Sequence, residues 1–340
     1  MSWQKLHSIY QQSGLVLALG AGVSLDSKLP NWIGLLKRLG SKCLGVDGDK
    51  SIDKLLDKRF SLPAIASMLK AKCPSDTKFS DLVRASLYQD FEPYKQRDVR
   101  DVDMKKLIED ACSNNCTLRA VAALCAKWDE KTASYSHNDK IHAVVNFNLD
   151  PLLREYTEVR YKKILMRSVE RPSKSSDPEK INLYYMHGFL RFDSKANDPE
   201  KEAFDKLVLS EQEYFDFFNS PTSLFNYTFL YLLREYSCLF IGLSMQDENI
   251  RRLLHYSKKE REEAHKEEEK EKKEKKSAGE LKEKLLRHFA IIKEYDSNEL
   301  KDLVEKSLAD LGTNVLWIND HAEIPERLKS MYRANWEKVY

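Results

Sequence analysis

The sequence predicts an α/β protein built on a doubly wound parallel sheet with a helical insertion. In two places a short apolar run ends in glycine and is followed by a hydroxyl residue. The run from Leu15 to Gly20 leads into Gly22 and Ser24, and the run from Cys238 to Gly242 leads into Ser244. Uninterrupted apolar runs are typical of strands buried on both faces. At the end of the chain, predicted strands and helices alternate, which is typical of a doubly wound sheet.

The first part of the chain combines one predicted strand with many predicted helices. A lead-in helix is expected over residues 1–13, because Trp3, Leu6 and Ile9 recur at helical spacing. After the glycine turn, Pro30 stands just before or at the first turn of a further helix, where a missing N–H costs nothing. From about residue 51 to 132, apolar side chains recur three and four apart, which predicts a mostly helical block without a strong strand signal.

Strands return in the remainder of the chain. They are predicted at residues 141–147, 163–166, 181–186, 238–241, 289–292 and 315–318. Ser210 and Glu213 form a capping box that opens an aromatic helix. Helices are also predicted after Pro151 and at 297–311 and 324–332, and a polar loop with two prolines is predicted at 171–180.

We interpret residues 1–340 as a single domain. Its doubly wound core comprises 12–44 and 140–340, and 45–139 form the helical insertion. A charged segment at about 255–280 is predicted to be a solvated helix or linker within the core. Between residues 258 and 276, nine basic and eight acidic side chains cancel to +1. A nucleic-acid-binding segment would instead need unbalanced positive charge.

Composition narrows the function classes. The chain has 56 basic and 54 acidic side chains and a net charge of +2, which gives no argument for a nucleic acid or a membrane as partner. Its six cysteines form no CxxC pair, and Cys112 with Cys116 would supply only two of the four ligands that zinc takes. Free thiols in a reducing cytosol and the lack of a bilayer-length apolar run predict a soluble, cytoplasmic protein without a metal site.

The turn after the first predicted strand is suited to binding a phosphate. Gly20 and Gly22 predict a tight turn in which backbone N–H groups can approach the phosphate of a nucleotide. The turn lacks the third glycine of the dinucleotide fingerprint and the Gly-Lys-Ser/Thr of a P-loop. It therefore indicates neither an ordinary dehydrogenase nor a P-loop enzyme.

Four polar clusters follow predicted strands. They are Gly20–Ser24, Asn148 with Asp150, His187–Gly188, and Gly242–Ser244 with Asp247. Open α/β sheets bind ligands at the carboxyl ends of their strands, so we expect these clusters to meet at one crevice. Each cluster also has a structural alternative. Asn and Asp are common helix caps, and a lone histidine before glycine is commonly a hydrogen-bonded turn residue.

The order of these motifs resembles that of the sirtuin-like NAD-consuming proteins, most closely their bacterial branch in antiphage defence. The matching residues are Gly20-Ala-Gly-Val-Ser24, Pro30-Asn-Trp32, Asn148-Leu-Asp150-Pro151, His187-Gly188, Leu209-Ser-Glu211 with Tyr214, and Gly242-Leu-Ser244 through Asp247. The pattern from His288 to Ile292 and from Gly312 to Ile318 is also similar to that branch. The resemblance implies a Rossmann-like, sirtuin-type fold without a metal.

The resemblance also implies roles for ten residues in the binding and cleavage of NAD. The diphosphate would be held by Gly20, Ala21, Gly22 and Ser24. The adenosine half would lie against Gly242 and Ser244, in the cofactor-binding motif that ends at Asp247. Asn148 and Asp150 would bind the nicotinamide ribose, and His187 would be the general base beside it. An amide, a carboxylate and an imidazole suit a reaction in which oxocarbenium character develops at a sugar carbon.

Departures from the family pattern bear on the reaction. In protein deacylases of this family a four-cysteine zinc module follows the His-Gly strand, whereas here Phe189 to Leu239 contains only Cys238. The Asp-Phe-Arg of deacylases is replaced by Asn31-Trp32-Ile33. We therefore expect water to be the acceptor, in an NAD glycohydrolase. The alternatives are a non-hydrolytic module that binds NAD or ADP-ribose, and an NAD-dependent deacylase or ADP-ribosyltransferase.

The resemblance also implies assembly. Proteins of this type often form homo-oligomers, and some act with a HerA-like hexameric ATPase. We expect regulation through self-assembly or a second protein, with the helical insertion or the aromatic helix from Tyr214 to Phe218 as contact surface.

Overall fold

The structure is a computed structural model that describes residues 2–74, 77–96, 101–169, 177–192, 207–219, 224–272, 285–332 and 335–340. Its strands, in chain order, are β1 (Leu15–Leu19), β2 (Ala126–Asp129), β3 (Ser134–His137), β4 (Ile141–Asn146), β5 (Met166–Val169), β6 (Ile181–Tyr185), β7 (Cys238–Ile241), β8 (His288–Lys293) and β9 (Thr313–Ile318). Seven of them form one sheet in the order β5-β6-β4-β1-β7-β8-β9. All neighbours in this sheet are parallel, whereas β2 and β3 form a separate antiparallel hairpin.

Helices surround this sheet. In chain order they are α1 (Ser2–Ser13), α2 (Trp32–Leu44), α3 (Gly48–Asp57), α4 (Leu62–Ala71), α5 (Phe79–Leu87), α6 (Glu92–Lys95), α7 (Asp101–Cys112), α8 (Cys116–Cys125), α9 (Leu152–Tyr161), α10 (Glu211–Asn219), α11 (Leu224–Glu235), α12 (Glu248–Lys272), α13 (Asn298–Ala309), α14 (Ile324–Tyr332) and α15 (Trp336–Val339). Short 3-10 turns occupy Ala21–Val23, Leu25–Ser27 and His321–Glu323.

The sheet is covered on both faces. Leu15, Leu17 and Leu19 of β1 belong to a core that includes side chains of α1, α2, α4, α8, α9 and α14. Val16 and Ala18 of the same strand face a second core, which includes side chains of α11 and α12. A strand alternates its side chains between the two faces, so a strand with a core on each side must be apolar throughout. The predicted doubly wound α/β fold is therefore confirmed.

Most predicted elements are confirmed, and two details needed correction. The strand predicted at 163–166 begins at Met166 and runs to Val169. The helical insertion predicted at 45–139 also contains the hairpin of β2 and β3. The division into core and insertion stays a prediction.

Two predicted segments lie partly outside the described residues. In the polar loop predicted at 171–180, only 177–180 are described. The charged segment is helical as far as the end of α12 at Lys272, and 273–280 lie outside the described residues. Within α12, Lys258 pairs with Glu262 one turn later at 3.5 Å.

Three structural findings concern the cysteines, possible metal ligands and possible membrane spans. All six cysteines are free thiols. Among the described residues, no group of three or more His, Cys, Asp or Glu side chains is placed to hold a metal ion. None of the helices in the described part of the chain has the length and apolar character needed to cross a membrane.

Four strands of the sheet end at the same level. Leu19 of β1 is paired with Asn146 of β4 on one side and with Ile241 of β7 on the other. Asn146 is in turn paired with Tyr185 of β6. Because β1 pairs with β4 on one side and with β7 on the other, its carboxyl end is a topological switch point, where open α/β sheets bind ligands. The residues that follow these four strands therefore emerge at one edge.

Candidate functional site

A cleft of ≈ 710 Å³ opens at this edge of the sheet. This volume lies within the range of small-molecule and cofactor sites. The lining residues come from the turns after β1, β4, β6 and β7 and from α2, α4, α10 and α12. They include Gly20, Ala21, Gly22, Trp32, Ile33, Ser61, Leu62, Pro63, Phe147, His187, Glu211, Tyr214, Gly242, Ser244, Asp247, Glu248 and Ile250. Among the described lining residues, Glu211, Asp247 and Glu248 are carboxylates and none is Lys or Arg.

The turns after β1 and β7 are in direct backbone contact. Gly20 N–H donates to the Ile241 carbonyl at 3.0 Å, and Gly22 N–H donates to the Gly242 carbonyl at 3.0 Å. A Cβ added to Gly20 would lie 2.5 Å from the Gly242 oxygen, and one added to Gly22 would lie 2.6 Å from the Gly242 Cα. Gly242 itself has a φ of +69°. Glycine is required here because the two backbones leave no room for a side chain.

This contact also determines which N–H groups remain for a ligand. Val23 N–H donates to Gly20 and Ser24 N–H to Ala21, each at 3.0 Å, which closes the first 3-10 turn. Ala21 is then the residue from 20 to 24 whose N–H takes no part in these bonds. The start of α2 also borders the cleft through Trp32 and Ile33. The first N–H groups of a helix have no partner inside it, and they favour a negatively charged ligand.

A buried polar network lies directly behind the cleft wall. The Ser24 hydroxyl donates to Asp150 Oδ1 at 3.1 Å and accepts from Asn148 Nδ2 at 3.3 Å. Asp150 Oδ1 also accepts from the N–H of Leu152 at 3.1 Å, so it caps the first turn of α9. All three side chains are buried. The hydroxyl of Ser24 is already used within this network, which favours a positioning role over direct contact with a diphosphate.

Asn148 keeps one unused group. Its Oδ1 is buried and has no hydrogen-bond partner among the described residues. Leaving a buried acceptor unsatisfied costs about 1–3 kcal/mol, so such an atom is a candidate to accept a ligand hydroxyl or a water. Phe147, the preceding residue, lines the cleft. The unused oxygen is therefore close along the chain to the ligand space.

Burial has the largest effect on the pKa of Asp150. It raises the pKa of this carboxyl from 3.8 to about 6, against the opposing effect of the hydrogen bonds from Leu152 and Ser24. The carboxyl is therefore mostly ionised at neutral pH, although ionisation is unfavourable at this position.

His187 lies in an aromatic enclosure that faces the cleft. Its ring centroid is 5.5 Å from that of Phe147, 5.5 Å from Tyr214 and 6.3 Å from Trp32. Burial lowers the pKa of the imidazole, while the charge of Asp247 and a hydrogen bond with the Phe147 backbone act in the opposite direction. The ring is therefore neutral at pH 7 and able to accept a proton.

The last wall of the cleft is α10. The carboxylate of Glu213 accepts the N–H groups of Leu209 at 3.0 Å and Ser210 at 2.8 Å, which confirms the predicted start of this helix. Glu213 also pairs with Lys70 of α4 at 2.6 Å. On its other side, Tyr214 donates to Asp247 Oδ2 at 2.9 Å. The helix thus bridges α4 and the start of α12.

A family model described as a SIR2-like domain matches residues 142–315. The chain belongs to the SIR2-like family. A comparison with curated proteins gave no match. The matched part of the SIR2-like chain contains the network residues Asn148 and Asp150, His187 and the turn after β7, whereas the glycine turn after β1 precedes it. Domains of this family use NAD as a substrate.

The structure brings most residues of the expected site together. Seven of them line the cleft, namely Gly20, Ala21, Gly22, His187, Gly242, Ser244 and Asp247. Ser24, Asn148 and Asp150 are joined to one another behind the wall. Sequence reasoning did not assign Trp32, Phe147 and Tyr214 to the surroundings of His187. Trp32 and Tyr214 stood in family motifs, but their position beside an imidazole depends on contacts between distant elements.

Substitution of Gly22 by Ala tests the contact between the two glycine turns. The added methyl group has no space against Gly242, so the turns must separate and lose the Gly22–Gly242 hydrogen bond. We expect the free energy of unfolding to fall by about 1–3 kcal/mol, as for other overpacked sites. Chemical denaturation measures this loss. Gly34→Ala on α2 is the matched control, because its Cβ meets only side-chain atoms at 3.2 Å or more. An equal loss in both variants would contradict the contact.

Substitution of Asp150 by Asn tests the strain of the buried carboxylate. Because the pKa of Asp150 is about 6 in the folded protein, above the 3.8 of the unfolded chain, folding binds its proton more tightly. The contribution of Asp150 to stability therefore falls as pH rises from about 4 to above 6. Asn keeps the acceptor oxygen and carries no charge. The gain from Asp150→Asn in unfolding free energy should grow from near zero at pH 4 to about 3 kcal/mol at pH 7.5.

Urea unfolding of both proteins across this pH range measures the gain. Asp57→Asn, which changes an exposed carboxylate on α3, is the control. A gain that is independent of pH, or that is matched by the control, would show that Asp150 is not strained.

Proposed function

We propose that this SIR2-like protein is an NAD glycohydrolase, which cleaves NAD to nicotinamide and ADP-ribose. One observation carries the proposal. The imidazole of His187, with a lowered pKa, lines the same cleft as the two interlocked glycine turns at the switch point of the sheet. A neutral base at a nucleotide-sized cleft is the arrangement that such a hydrolysis requires.

The cleft fits NAD in its volume and in its donors. The diphosphate would be met by backbone N–H groups at Ala21 and at the start of α2, since no described lining side chain is a Lys or Arg. The aromatic rings of Trp32, Phe147 and Tyr214 offer apolar faces to a flat ring. The unused Oδ1 of Asn148 would accept a hydrogen bond from a ribose hydroxyl or from water.

The reaction is a substitution at the ribose carbon that carries nicotinamide. The bond to the ring nitrogen breaks, and its electron pair neutralises the cationic ring. A bond forms from the oxygen of water to the same carbon, and the proton of that water passes to His187 and then to solvent. Nicotinamide leaves readily because it departs as a neutral molecule. The protein therefore has to orient the ribose, hold the water and accept one proton.

The network behind the wall has a positioning role in this proposal. Ser24 fixes the amide of Asn148 by accepting from its Nδ2, so that Oδ1 is the group left for the substrate. Asp150 holds Ser24 in place and supplies negative charge behind the sugar. Such charge stabilises the positive character that develops at the ribose in the transition state.

Two features favour water over an acyl-lysine peptide as the acceptor. Trp32 and Ile33 border the cleft at the positions where deacylases of this family carry Phe and Arg. The segment from Phe189 to Leu239 contains a single cysteine, so it lacks the residues of a four-cysteine zinc module.

Because the motifs resemble those of the antiphage-defence branch, we further propose that NAD depletion serves antiphage defence. We propose that self-assembly or a HerA-like ATPase activates it.

An NAD-consumption assay tests the proposed reaction. Purified protein is incubated with NAD over a wide range of protein concentration, and nicotinamide and ADP-ribose are followed by liquid chromatography with mass spectrometry. We expect both products in equal amounts. His187→Ala should lower kcat by at least ~100-fold, the range for a lost acid–base group. Asn148→Ala should lower it by a similar factor of ~100-fold, because the group that orients the ribose or the water is lost.

The controls are His255→Ala and Asn319→Ala, which change exposed residues of the same types away from the cleft. Both should retain full turnover. NAD binding without product at every protein concentration would replace hydrolysis with the binding-module alternative. Nicotinamide release that depends on an acylated peptide would replace it with deacylation.

A further inference from the structure

Tyr214 and Asp247 form a fixed pair at the rim of the cleft. The Tyr214 hydroxyl donates to Asp247 Oδ2 at 2.9 Å, and Asp247 Oδ1 accepts from Ile250 N–H at 3.0 Å. Each carboxylate oxygen therefore has a donor, one from α10 and one from the first turn of α12. Burial and the charge of Asp247 raise the pKa of Tyr214, so the phenol keeps its proton and remains a donor. The orientation of the carboxylate is thus determined from both sides.

The same tyrosine ring is one side of the enclosure around His187. Its centroid lies 5.5 Å from the imidazole at an interplanar angle of 52°. Phe147 and Trp32 meet the imidazole edge to face, at 75° and 85°. Of these three rings, that of Tyr214 carries a hydroxyl, and this hydroxyl is bonded to a carboxylate. The pair therefore combines packing on the imidazole with a nearby negative charge.

The charged groups around His187 come from few elements. Trp32 of α2 and Phe147 after β4 face the imidazole, and neither side chain titrates. The titratable side chains that line the cleft with it are Glu211 and Tyr214 of α10, Asp247, and Glu248 of α12. Asp247 is the one whose charge acts on the imidazole, against the effect of burial.

We propose that Tyr214 and Asp247 are positioning residues for His187. The tyrosine ring holds the imidazole in the cleft, and the carboxylate fixed by its hydroxyl stabilises the imidazolium that forms when His187 accepts the proton of water. This role rests on the proposed NAD hydrolysis, in which His187 is the base. A carboxylate that orients and stabilises a catalytic histidine is a recurring arrangement in enzymes. Here the carboxylate is supplied by a helix cap, and an aromatic ring takes part in the orientation.

Two conservative variants separate this role from a purely structural one. Asp247→Asn keeps an oxygen for Ile250 N–H, so the cap of α12 is retained while the charge is lost, because Asn caps helices as well as Asp does. Tyr214→Phe keeps the ring on His187 and loses only the bond to Asp247. If the residues merely support the fold, neither change should alter the titration of His187.

The titration of the His187 ring, followed by NMR with assignment through His187→Gln, tests the pair directly. In Asp247→Asn the pKa of His187 should fall by at least ~0.5, because an attractive negative charge is lost. In Tyr214→Phe it should shift in the same direction by a smaller amount. Glu263→Gln, which changes an exposed carboxylate further along α12, should leave it unchanged.

Kinetics provide the second readout. In Asp247→Asn, kcat for NAD should fall ~10–100-fold with little change in KM, and the acid limb of the pH profile of kcat/KM should move to lower pH. A titration of His187 that is the same in wild type and in both folded variants would overturn the pair even if NAD is hydrolysed. Absence of nicotinamide release by the wild type would overturn the proposed function, and the NMR titration would still decide whether the pair acts on His187. If Asp247→Asn does not fold, Tyr214→Phe decides alone.

Discussion

The contact between the glycine turns after β1 and β7 is the constraint on which the whole site depends. These two strands are hydrogen-bonded neighbours, so their turns leave the sheet side by side and touch backbone to backbone. Any Cβ at Gly20 or Gly22 would lie within 3 Å of the backbone or side-chain atoms of Gly242 and Leu243. The first effect of the glycines is therefore to allow the two turns to pack closely. The N–H groups of Gly20 and Gly22 are used in this contact, so the diphosphate of the proposed substrate would have to meet the N–H groups of Ala21 and of the start of α2.

The site contains two carboxylates in different surroundings. Asp150 lies behind the wall, where burial raises its pKa to about 6 and its hydrogen bonds only partly compensate. Asp247 borders the cleft with two donors, at the amino end of a 25-residue helix whose dipole favours negative charge. The first carboxylate costs stability and the second contributes to it. The unfavourable charge of Asp150 has a use in the proposed reaction, where it would stabilise positive character at the ribose.

The sequence was sufficient for six of the seven strands of the sheet, since β7 is found at the predicted residues and β1, β4, β6, β8 and β9 lie within two residues of prediction. These strands are apolar because they are buried, so the local composition of the sequence is enough to identify them. The remaining strand, β5, begins three residues later than predicted. The hairpin of β2 and β3 was missed although both strands alternate apolar or aromatic with polar side chains, because each has only four residues and β2 directly follows a helical pattern. The placement of Ser24 behind the wall could not be predicted either, because it depends on a bond to Asp150, which is 126 residues away. Motifs therefore predicted which loops meet, but not which side chains face the ligand.

The helical segment between β1 and β4 is part of the cleft itself. Ser61, Leu62 and Pro63 at the start of α4 line it, and α4 holds α10 through the Ser67 hydroxyl and through Lys70. The Lys70–Glu213 pair is half exposed and contributes at most about 1 kcal/mol. The Tyr214–Asp247 bond on the other side of α10 is more buried and directly adjoins the imidazole. If α4 shifted on assembly, the shift would therefore reach His187 through α10. Its effect could be no larger than the difference in the free energy of these few contacts between the shifted and unshifted positions. Regulation through this segment would act through weak contacts such as the Lys70–Glu213 pair. The stronger Tyr214–Asp247 bond would keep His187 in position.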